Sequence, residues 1–415
     1  MASTRPDGQT PLLTPLLLWF LFAMILANIA GSMTSILAPL YLIELGASVE
    51  QVGLVFTLTS VVVLGLQIFG GWISDSIGRL RAIAIGSIGG VIGNIAMWLA
   101  PSWPWMLLAL SINQVPYALV GPSFSAFIAE NSSEANRGRV YGLTDALYQV
   151  VGIVGPPLGG WIAGMYGFRP MLLVATLFYT AAAILRIWMA RTMRPIADGD
   201  SRPALNLATF KSGVSLVASM VMSGGIVTWI FLTDGVRDIA FRLSNELQPV
   251  YLEQIGHLSL TEIGLLSSVF SVAMMLTPLV SGRLADRYGE RLPISAGFLV
   301  IFVAYMVFIT ADGLLVFSLA WALFGAGVGV LSPAYQSLVS KVVPRKSLGL
   351  FNGLFQSSLG FVSLPAPWIG ALLWARFDPR LPFLLTAFLA VITVVPTWFK
   401  FRLPAPIPGQ ETEQP

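Results

Sequence analysis

Two loop segments repeat one pattern: GWISDSIGRLR at Gly71–Arg81 and GRLADRYGER at Gly282–Arg291. In both, an aspartate (Asp75 or Asp286) follows one glycine by four residues and precedes the next by three. The segments lie about 210 residues apart, and YLIELG from residue 41 matches YLEQIG from residue 251 at the same offset. A repeat of this length indicates that the chain consists of two duplicated halves.

The composition places both halves in a lipid bilayer. Of 415 residues, 56% are hydrophobic and only 10% are charged, with a mean hydropathy of +0.79. A transmembrane helix needs about 20 apolar residues, and stretches of that length recur along the chain. We predict twelve spans, at 14–40, 50–72, 82–100, 104–129, 139–163, 170–190, 225–249, 261–282, 292–311, 313–339, 347–373 and 381–400.

The basic residues predict the orientation of these spans. If the N-terminus is cytoplasmic, seventeen of the 23 lysines and arginines fall on the cytoplasmic side, three on the other side and three within spans. This asymmetry is the positive-inside signal of membrane proteins. We therefore expect a multi-pass protein of the cell (inner) membrane with both termini cytoplasmic.

Several classes of function lack the residues that they need. The chain has no cysteine and one histidine, which excludes disulfides, thiolate sites and histidine metal clusters. No nucleotide-binding loop or appended soluble domain is recognisable. The sequence predicts a protein that is not an enzyme, needs no cofactor or metal, and binds no nucleic acid.

The duplication defines the domain organisation. We predict a six-helix half at 1–194, a cytoplasmic linker at 195–212, a second half at 213–402 and a cytoplasmic tail at 403–415. The apolar SGVSLVASMVMSGG that follows the linker is interpreted as a lead-in to the seventh span, because a thirteenth span would invert every later loop. Parallel duplication of a six-span unit is an architecture of secondary transporters.

The repeated loop pattern resembles the loop signature of the major facilitator superfamily, Gly-x-x-x-Asp-(Arg/Lys)-x-Gly-Arg. Ser76 and Glu290 depart from the basic residues that the signature prefers. The resemblance implies an all-α integral membrane protein of twelve transmembrane helices, arranged as two pseudo-symmetric six-helix bundles. It also implies that the first, fourth, seventh and tenth helices surround a central cavity and that the halves rock around it.

The loop signature has a physical interpretation as a gate. Asp75 can accept hydrogen bonds from the exposed amides of a helix N-terminus in the other half, near Ser347, and Asp286 can do so near Arg137. The alternative is a basic loop that sets topology without gating. The predicted gating residues here are Gly71, Asp75, Gly78, Arg79, Gly282, Asp286, Arg287 and Gly289.

The fifth span contains GIVGPPLGG at Gly152–Gly160, which resembles the Gly-Pro-x-x-Gly-Gly motif of proton-exchanging exporters. A bend at Pro156 would form a hinge, and the glycines would let another helix approach. Ordinary packing of small residues is the alternative. The predicted gating residues are Gly155, Pro156, Gly159 and Gly160.

The seventh span is unusually polar. Its segment TDGVRDIAFRLSNELQPVY, Thr233–Tyr251, carries five charges, although one charge at mid-membrane costs roughly 2.5–3.5 kcal/mol. We predict that proton coupling uses Asp234, Arg237, Asp238, Arg242 and Glu246, with Asp145 of the fifth span. A purely structural ion-pair network at i+3 and i+4 spacing is the alternative. Arg186 of the sixth span is expected to extend toward the membrane surface.

Neutral polar residues on helices facing the implied cavity are candidates for substrate contact, although hydrogen bonds between helices would also explain them. They are Asn28, Ser32, Asn113, Gln114, Tyr117, Tyr148, Gln149, Tyr335 and Gln336.

Together these patterns predict a proton-coupled secondary transporter of a small organic molecule. The expected partners are that molecule, protons and the lipid bilayer, and the protein is expected to be a monomer. The Gly-Pro motif favours an exporter that works as a proton antiporter. The alternative is a proton symporter or facilitator importing a sugar or organic acid, in which Arg237 or Arg242 binds a substrate carboxylate.

Overall fold

A computed structural model describes residues 13–132, 134–192, 215, 218–343 and 348–402. Within these ranges it describes no side chains at 67–76, 122, 134–135, 348–350, 352, 354 and 356–357. The predicted linker at 195–212 and the tail at 403–415 lie outside the described residues. The lead-in is described only at residue 215 and from residue 218, and residues 218–222 are helical before a turn and the seventh span.

The first half contains six helical spans. Their bounds are Pro15–Ser35 with Ala38–Glu44, Val49–Ile77, Arg79–Trp98, Trp103–Ile112 with Val115–Asn131, Glu134–Tyr166, and Phe168–Thr192.

The second half repeats this arrangement. Its spans are Ile226–Ser244 with a 3-10 turn at Asn245–Leu247 and a helix at Gln248–Gln254, Leu260–Leu276 with Pro278–Tyr288, Arg291–Thr310, Gly313–Val342, Leu348–Val362 with Ala366–Arg376, and Leu381–Lys400. No strand occurs among the described residues.

Five spans, the first, fourth, seventh, eighth and eleventh, are each divided into two helices, and a proline lies at each division. The second helix of the first and seventh spans begins around Pro39 and Pro249, and that of the fourth and eighth spans around Pro116 and Pro278. Proline lacks an N–H and fixes φ, so it ends the preceding helix yet is well suited to the first turn of the next. The matched breaks at Pro39 and Pro249 show the duplication in the backbone itself.

Ten of the described helices are long and apolar enough to cross a membrane. The fourth and seventh predicted spans are the two that do not qualify. The fourth is divided at residues 113–114 into two shorter helices, and the seventh carries the charges noted above. Both occupy the place in the bundle that twelve spans require, so the predicted all-α membrane fold of two six-helix bundles is confirmed.

The two halves meet chiefly through two helix pairs, the fifth span with the eighth and the second span with the eleventh. We call the end of the bundle with the connections at 78, 132–134 and 289–290 the loop-motif end, and the other the opposite end. Among the described residues, several close contacts between the halves lie toward the opposite end. A Cβ placed on Gly53 would lie 2.6 Å from the Pro367 carbonyl oxygen, and Arg376 Nε lies 3.8 Å from Glu50 Oε1. The opposite end is closed in this conformation.

Candidate functional site

Three adjoining cavities lie along the centre of the bundle, with volumes of about 560, 360 and 270 Å³. Ser35, Ile36, Asn245 and Gln248 line both of the larger two. Gly31, Asn113 and Tyr117 line both the 360 Å³ and the 270 Å³ cavity. Neighbouring cavities therefore adjoin, the 270 Å³ cavity within the first half and the other two between the halves, and we call the three together the central pathway.

The charged face of the seventh span borders this pathway as two ion pairs. Arg237 Nη2 lies 2.6 Å from Asp234 Oδ1, and Arg242 Nε lies 3.0 Å from Asp238 Oδ2. Arg237 and Asp238 line the 560 Å³ cavity. Both pairs lie on one helix, and their partners have the i+3 and i+4 spacing that the sequence showed.

The Asp238–Arg242 pair connects several helices. The Ser363 hydroxyl of the eleventh span donates a hydrogen bond to Asp238 Oδ2, and Arg242 Nη1 lies 3.5 Å from Ser60 Oγ of the second span. Ser60 belongs to the first half, whereas the other three residues belong to the second. A movement of one half against the other must therefore change the surroundings of this pair.

The Asp234–Arg237 pair is supported within the second half. Asp234 is buried, and the Arg237 guanidinium lies over the Tyr335 ring, 5.5 Å from its centre. The Tyr335 and Thr233 hydroxyl oxygens are 2.7 Å apart. Tyr335 is itself buried and lines none of the three cavities, so in this conformation it supports Arg237 from behind.

Glu246 lies on the 3-10 turn of the seventh span and lines the 360 Å³ cavity. Its Oε1 accepts a hydrogen bond of 3.1 Å from Asn245 Nδ2. Among the described residues, no basic nitrogen lies within ion-pair distance of it. Asp145 lines the 270 Å³ cavity, is exposed to it and likewise has no ion pair within the described part of the chain.

The predicted substrate residues separate into two groups. Asn28, Asn113, Gln114, Tyr117 and Tyr148 line the 270 or 360 Å³ cavity. Ser32, Gln149, Tyr335 and Gln336 line none of the three. Ser32 instead faces Gly155 of the fifth span, where a Cβ would collide with the serine hydroxyl.

Six aromatic residues line the 560 Å³ cavity, and none of them was predicted from the sequence as a site residue. The aromatic residues that line it are Phe241, Phe270, Phe298, Tyr305, Trp321 and Phe324. Tyr305 is held by its hydroxyl, which lies 2.8 Å from Ser244 Oγ and accepts a 3.3 Å hydrogen bond from Gln248 Nε2. Aromatic residues occur in every predicted span, so no sequence signal distinguished these six.

The Gly-Pro motif of the fifth span lies against the eighth span. Pro157 has no N–H to pair with the carbonyl of Ile153 four residues earlier. Ser268 of the eighth span supplies that hydrogen bond instead, from its hydroxyl at 2.5 Å. A Cβ on Gly264 would approach the Pro156 carbonyl oxygen to 2.5 Å, and one on Gly160 would collide with the Leu260 carbonyl.

A third glycine of the motif faces the first span. A Cβ on Gly159 would lie 2.5 Å from the Met33 carbonyl oxygen. The motif therefore packs tightly on both sides, and Gly160 contributes to the contact between the halves near the opposite end. The fifth span is one continuous helix through Pro156 and Pro157.

Of the predicted gate at the loop-motif end, the structure describes the second-half copy, and this copy makes no hydrogen bond or ion pair with the described residues of the first half. Asp286 is exposed and makes no hydrogen bond to the described residues near Arg137. A Cβ on Gly282 would meet nothing within 4 Å. The side chain of Asp75 lies outside the described residues. Gly78 and Gly289 adopt φ of 91° and 79°, the left-handed backbone that their tight turns require.

Comparison with known proteins places this architecture. The family model described as Major Facilitator Superfamily matches residues 20–244 and 238–415. The chain belongs to the major facilitator superfamily. The second match begins within the seventh span, where it overlaps the first at residues 238–244, and the resemblance inferred from the loop signature is confirmed.

Relatives in the superfamily include bacterial proteins of nearly the same length. The chain is 25% identical to a protein named "Multi-drug resistance efflux pump PmrA homolog" from Lactococcus lactis, covering 88% of this chain and 89% of the relative. It is 26% identical to "Multidrug resistance protein MdtG" from Enterobacter lignolyticus, covering 94% and 93%.

Solved structures of the superfamily share the fold. A POT family transporter in complex with 5-aminolevulinic acid gives a TM-score of 0.72 at 14% identity, covering 91% of this chain and 94% of that one. A peptide transporter POT in complex with sulfate gives 0.71 at 14% identity, covering 95% of each chain. At this identity the comparison supports the fold alone.

Within this superfamily member, the two loop signatures carry ion pairs of opposite polarity. In the first half Arg79 Nε lies 3.2 Å from Glu130 Oε1 at the end of the fourth span. In the second half, Glu290 occupies the position equivalent to Arg79 and pairs with Lys341 at the end of the tenth span. In both pairs the two residues are 51 positions apart in the sequence. Lys341 thus compensates for the acidic residue that stands at 290 in place of the arginine of the signature. The relation is visible in the sequence only when the two halves are aligned with each other.

Burial by itself would raise the pKa of the Glu290 carboxyl, but hydrogen bonds from Lys341 and Ser337 outweigh it and lower that pKa below its usual value. A lowered folded-state pKa means that ionised Glu290 stabilises the fold above the unfolded-state pKa, near 4.5. This contribution is lost as the pH falls through the folded-state pKa.

We expect Glu290→Gln to lower the melting temperature by a few °C at pH 7, corresponding to about 1–2 kcal/mol for a partly exposed pair. The deficit relative to the parent protein should shrink below pH 4.5. The pair Glu290→Lys with Lys341→Glu should recover most of the loss, since it reproduces the polarity of the first half. Thermal unfolding in detergent measures all three, and a double variant no better than Glu290→Lys alone would contradict the pairing.

Proposed function

We propose that this superfamily member is a proton-coupled exporter of small organic molecules, and that it works by alternating access as its two halves rock about the central cavities. The observation that carries the proposal is the Asp238–Arg242 pair. It borders the 560 Å³ cavity and also contacts Ser60 of the other half. A titratable group in this position can respond both to a substrate and to the conformation.

The coupling follows from simple electrostatics. A nearby guanidinium favours the ionised form of a carboxylate, whereas separation from it favours proton uptake. Arg242 contacts residues of both halves, so rocking would alter its distance from Asp238. Asp234 with Arg237, Glu246 and Asp145 are the further candidates for proton coupling, because each lies at or beside the pathway.

Alternating access requires that the two ends close in turn. The opposite end is closed here by the packing of the fifth span on the eighth and of the second on the eleventh. The exposed Asp286 and the uncrowded Gly282 fit a loop-motif end that closes in the other state. We place that end in the cytoplasm of a bacterial cell, where the basic loops are expected.

Export is supported by the names of the relatives, which are described as multidrug efflux pumps or resistance proteins. It is also supported by the Gly-Pro motif, which resembles that of proton-exchanging exporters. The aromatic walls of the 560 Å³ cavity suit the apolar body of an organic molecule. We propose in addition that the protein acts as a monomer, is not an enzyme and needs no cofactor.

The direction of coupling is measurable in vesicles reconstituted with the pure protein. If the protein is an antiporter, an acidic exterior should drive loss of a preloaded substrate, whichever way the protein is inserted. One pH unit supplies about 1.4 kcal/mol, enough for about a tenfold substrate gradient at one proton per molecule. The substrate would come from a binding screen of small aromatic compounds. Uptake under the same gradient would instead identify a symporter.

A further inference from the structure

Arg186 of the sixth span is a buried cation that the proposed coupling does not use. It is only 5% exposed, so it does not reach the membrane surface, and the expectation that it would was wrong. Its Nη1 donates a 3.1 Å hydrogen bond to Ser87 Oγ, a fully buried hydroxyl of the third span. This contact and the packing of the sixth span on the third direct the guanidinium into the first half.

Arg186 differs from the other two arginines of the pathway in lacking a countercharge. Arg237 and Arg242 each lie within 3.0 Å of a carboxylate. In the described part of the chain, no carboxylate oxygen lies within 4.0 Å of Arg186. A guanidinium has five N–H donors, and its partners here, the hydroxyls of Ser87 and Tyr179, are neutral and leave its charge uncompensated. Burying an unneutralised charge is costly, so its retention indicates a site that is neutralised when occupied.

The space that Arg186 borders has the composition of a small-molecule site. The cavity holds about 270 Å³ and lies next to the 360 Å³ cavity. Neutral polar groups line it at Asn28, Asn94, Asn113, Tyr117, Tyr148 and Tyr179. Met24, Val120 and Phe124 supply apolar surface. An arginine among neutral hydrogen-bonding groups beside an aromatic wall matches a ligand with one negative charge and one apolar ring.

We infer that the substrates of this transporter are amphipathic carboxylates, and that Arg186 binds the carboxylate group. This inference rests on the proposed function, because it assigns part of the transport pathway to substrate recognition. The planar guanidinium fork matches a carboxylate in a way that an ammonium does not. The assignment replaces Arg237 and Arg242, which are already neutralised, as the residue that recognises an anion.

Asp145 is the other charged residue that lines the same cavity. It lies beyond ion-pair distance of Arg186, on the fifth span, one helical turn from Tyr148. Its negative charge opposes the binding of an anion without removing the attraction of Arg186. Neutralising it should therefore strengthen carboxylate binding, whereas neutralising Arg186 should weaken it.

Three probes that share one skeleton test the inference: 4-phenylbutyrate, 4-phenylbutyramide and 4-phenylbutylamine. Each is titrated against the purified full chain in detergent, and binding is followed by thermal shift and calorimetry. We expect the carboxylate to bind at least about tenfold more tightly than the amide, the strength of a charge-assisted hydrogen bond. Preference for the amine, or no binding of the carboxylate at millimolar concentration, would overturn the inference.

Variants locate the preference. Arg186→Gln should make the carboxylate and amide equal, Arg186→Lys should retain part of the difference, and Asp145→Asn should strengthen carboxylate binding roughly twofold to tenfold. If Arg186→Gln fails to fold, the lysine and Asp145 variants still decide the matter. An unchanged carboxylate preference in Arg186→Lys together with no gain in Asp145→Asn would contradict the site. Because these are binding measurements, they are independent of proton coupling, whose failure would appear only in the vesicle experiments.

Discussion

Asp238→Asn is expected to abolish accumulation driven by a proton gradient while leaving the exchange of labelled for unlabelled substrate. Exchange requires only that the loaded transporter reorients, whereas accumulation requires a proton to be carried. At one pH unit the parent should hold about a tenfold gradient, and the variant should fall to the passive level. Both rates are measured on the same reconstituted vesicles, with the parent protein as the reference.

A structural role for the pair predicts a different pattern. Removing either partner would leave the other charge partly buried and lower the free energy of unfolding by about 3 kcal/mol or more. Removing both, with Asp238→Asn and Arg242→Gln, would restore stability. Proton coupling that returns in this double variant would rule out Asp238 as the carrier. The role would then pass to Asp234 or Asp145.

Gly160→Leu is expected to prevent closure of the opposite end. Any Cβ at this position collides with the Leu260 carbonyl of the other half, and a backbone group cannot move aside as a flexible side chain can. Overpacking of this kind costs about 1–3 kcal/mol, which would shift the closing equilibrium about tenfold to a hundredfold. Transport should fall by a similar factor, because the closed state seen here belongs to the cycle.

The absence of cysteine from the chain gives a direct assay of closure. Arg376 Nε and Glu50 Oε1 lie 3.8 Å apart across the closed end and both side chains are accessible, so a bifunctional thiol reagent should crosslink Glu50→Cys with Arg376→Cys in the parent. Crosslinking should be lost when Gly160→Leu is added. The control is Gly142→Leu on the same helix, where a Cβ meets nothing within 4 Å. Equal crosslinking in both backgrounds would show that Gly160 is not part of the closure.

The architecture was predictable because its signals are local or periodic. Long apolar stretches, the asymmetry of basic residues and the repeated loop signature depend only on order along the chain. The ion pairs of the seventh span were equally accessible, since residues three and four apart on a helix must be neighbours. The divisions of the spans into two helices are also explained by local sequence, because each lies at a proline. The hydropathy pattern alone did not predict their positions.

The sequence could not show which faces of distant helices meet. The position of Arg186 in the sequence is compatible with a side chain that extends to the membrane surface or one that points into the bundle. The packing of the sixth span against the third decided that it is buried. Tyr335 resembled a substrate contact but lies behind Arg237, and the six aromatic residues of the largest cavity carried no signal at all.

The sequence by itself determined a duplicated membrane bundle with a charged seventh helix, because hydropathy, charge asymmetry and helical periodicity act along one chain segment at a time. Only the tertiary structure decided that Asp238 meets Ser363, that Glu290 meets Lys341, and that Arg186 faces a cavity with no described carboxylate within ion-pair distance. The physical reason is that such contacts depend on the rotation of each helix about its axis. In a bilayer, close packing and interhelical hydrogen bonds set that rotation, because a lipid tail is as apolar as a leucine.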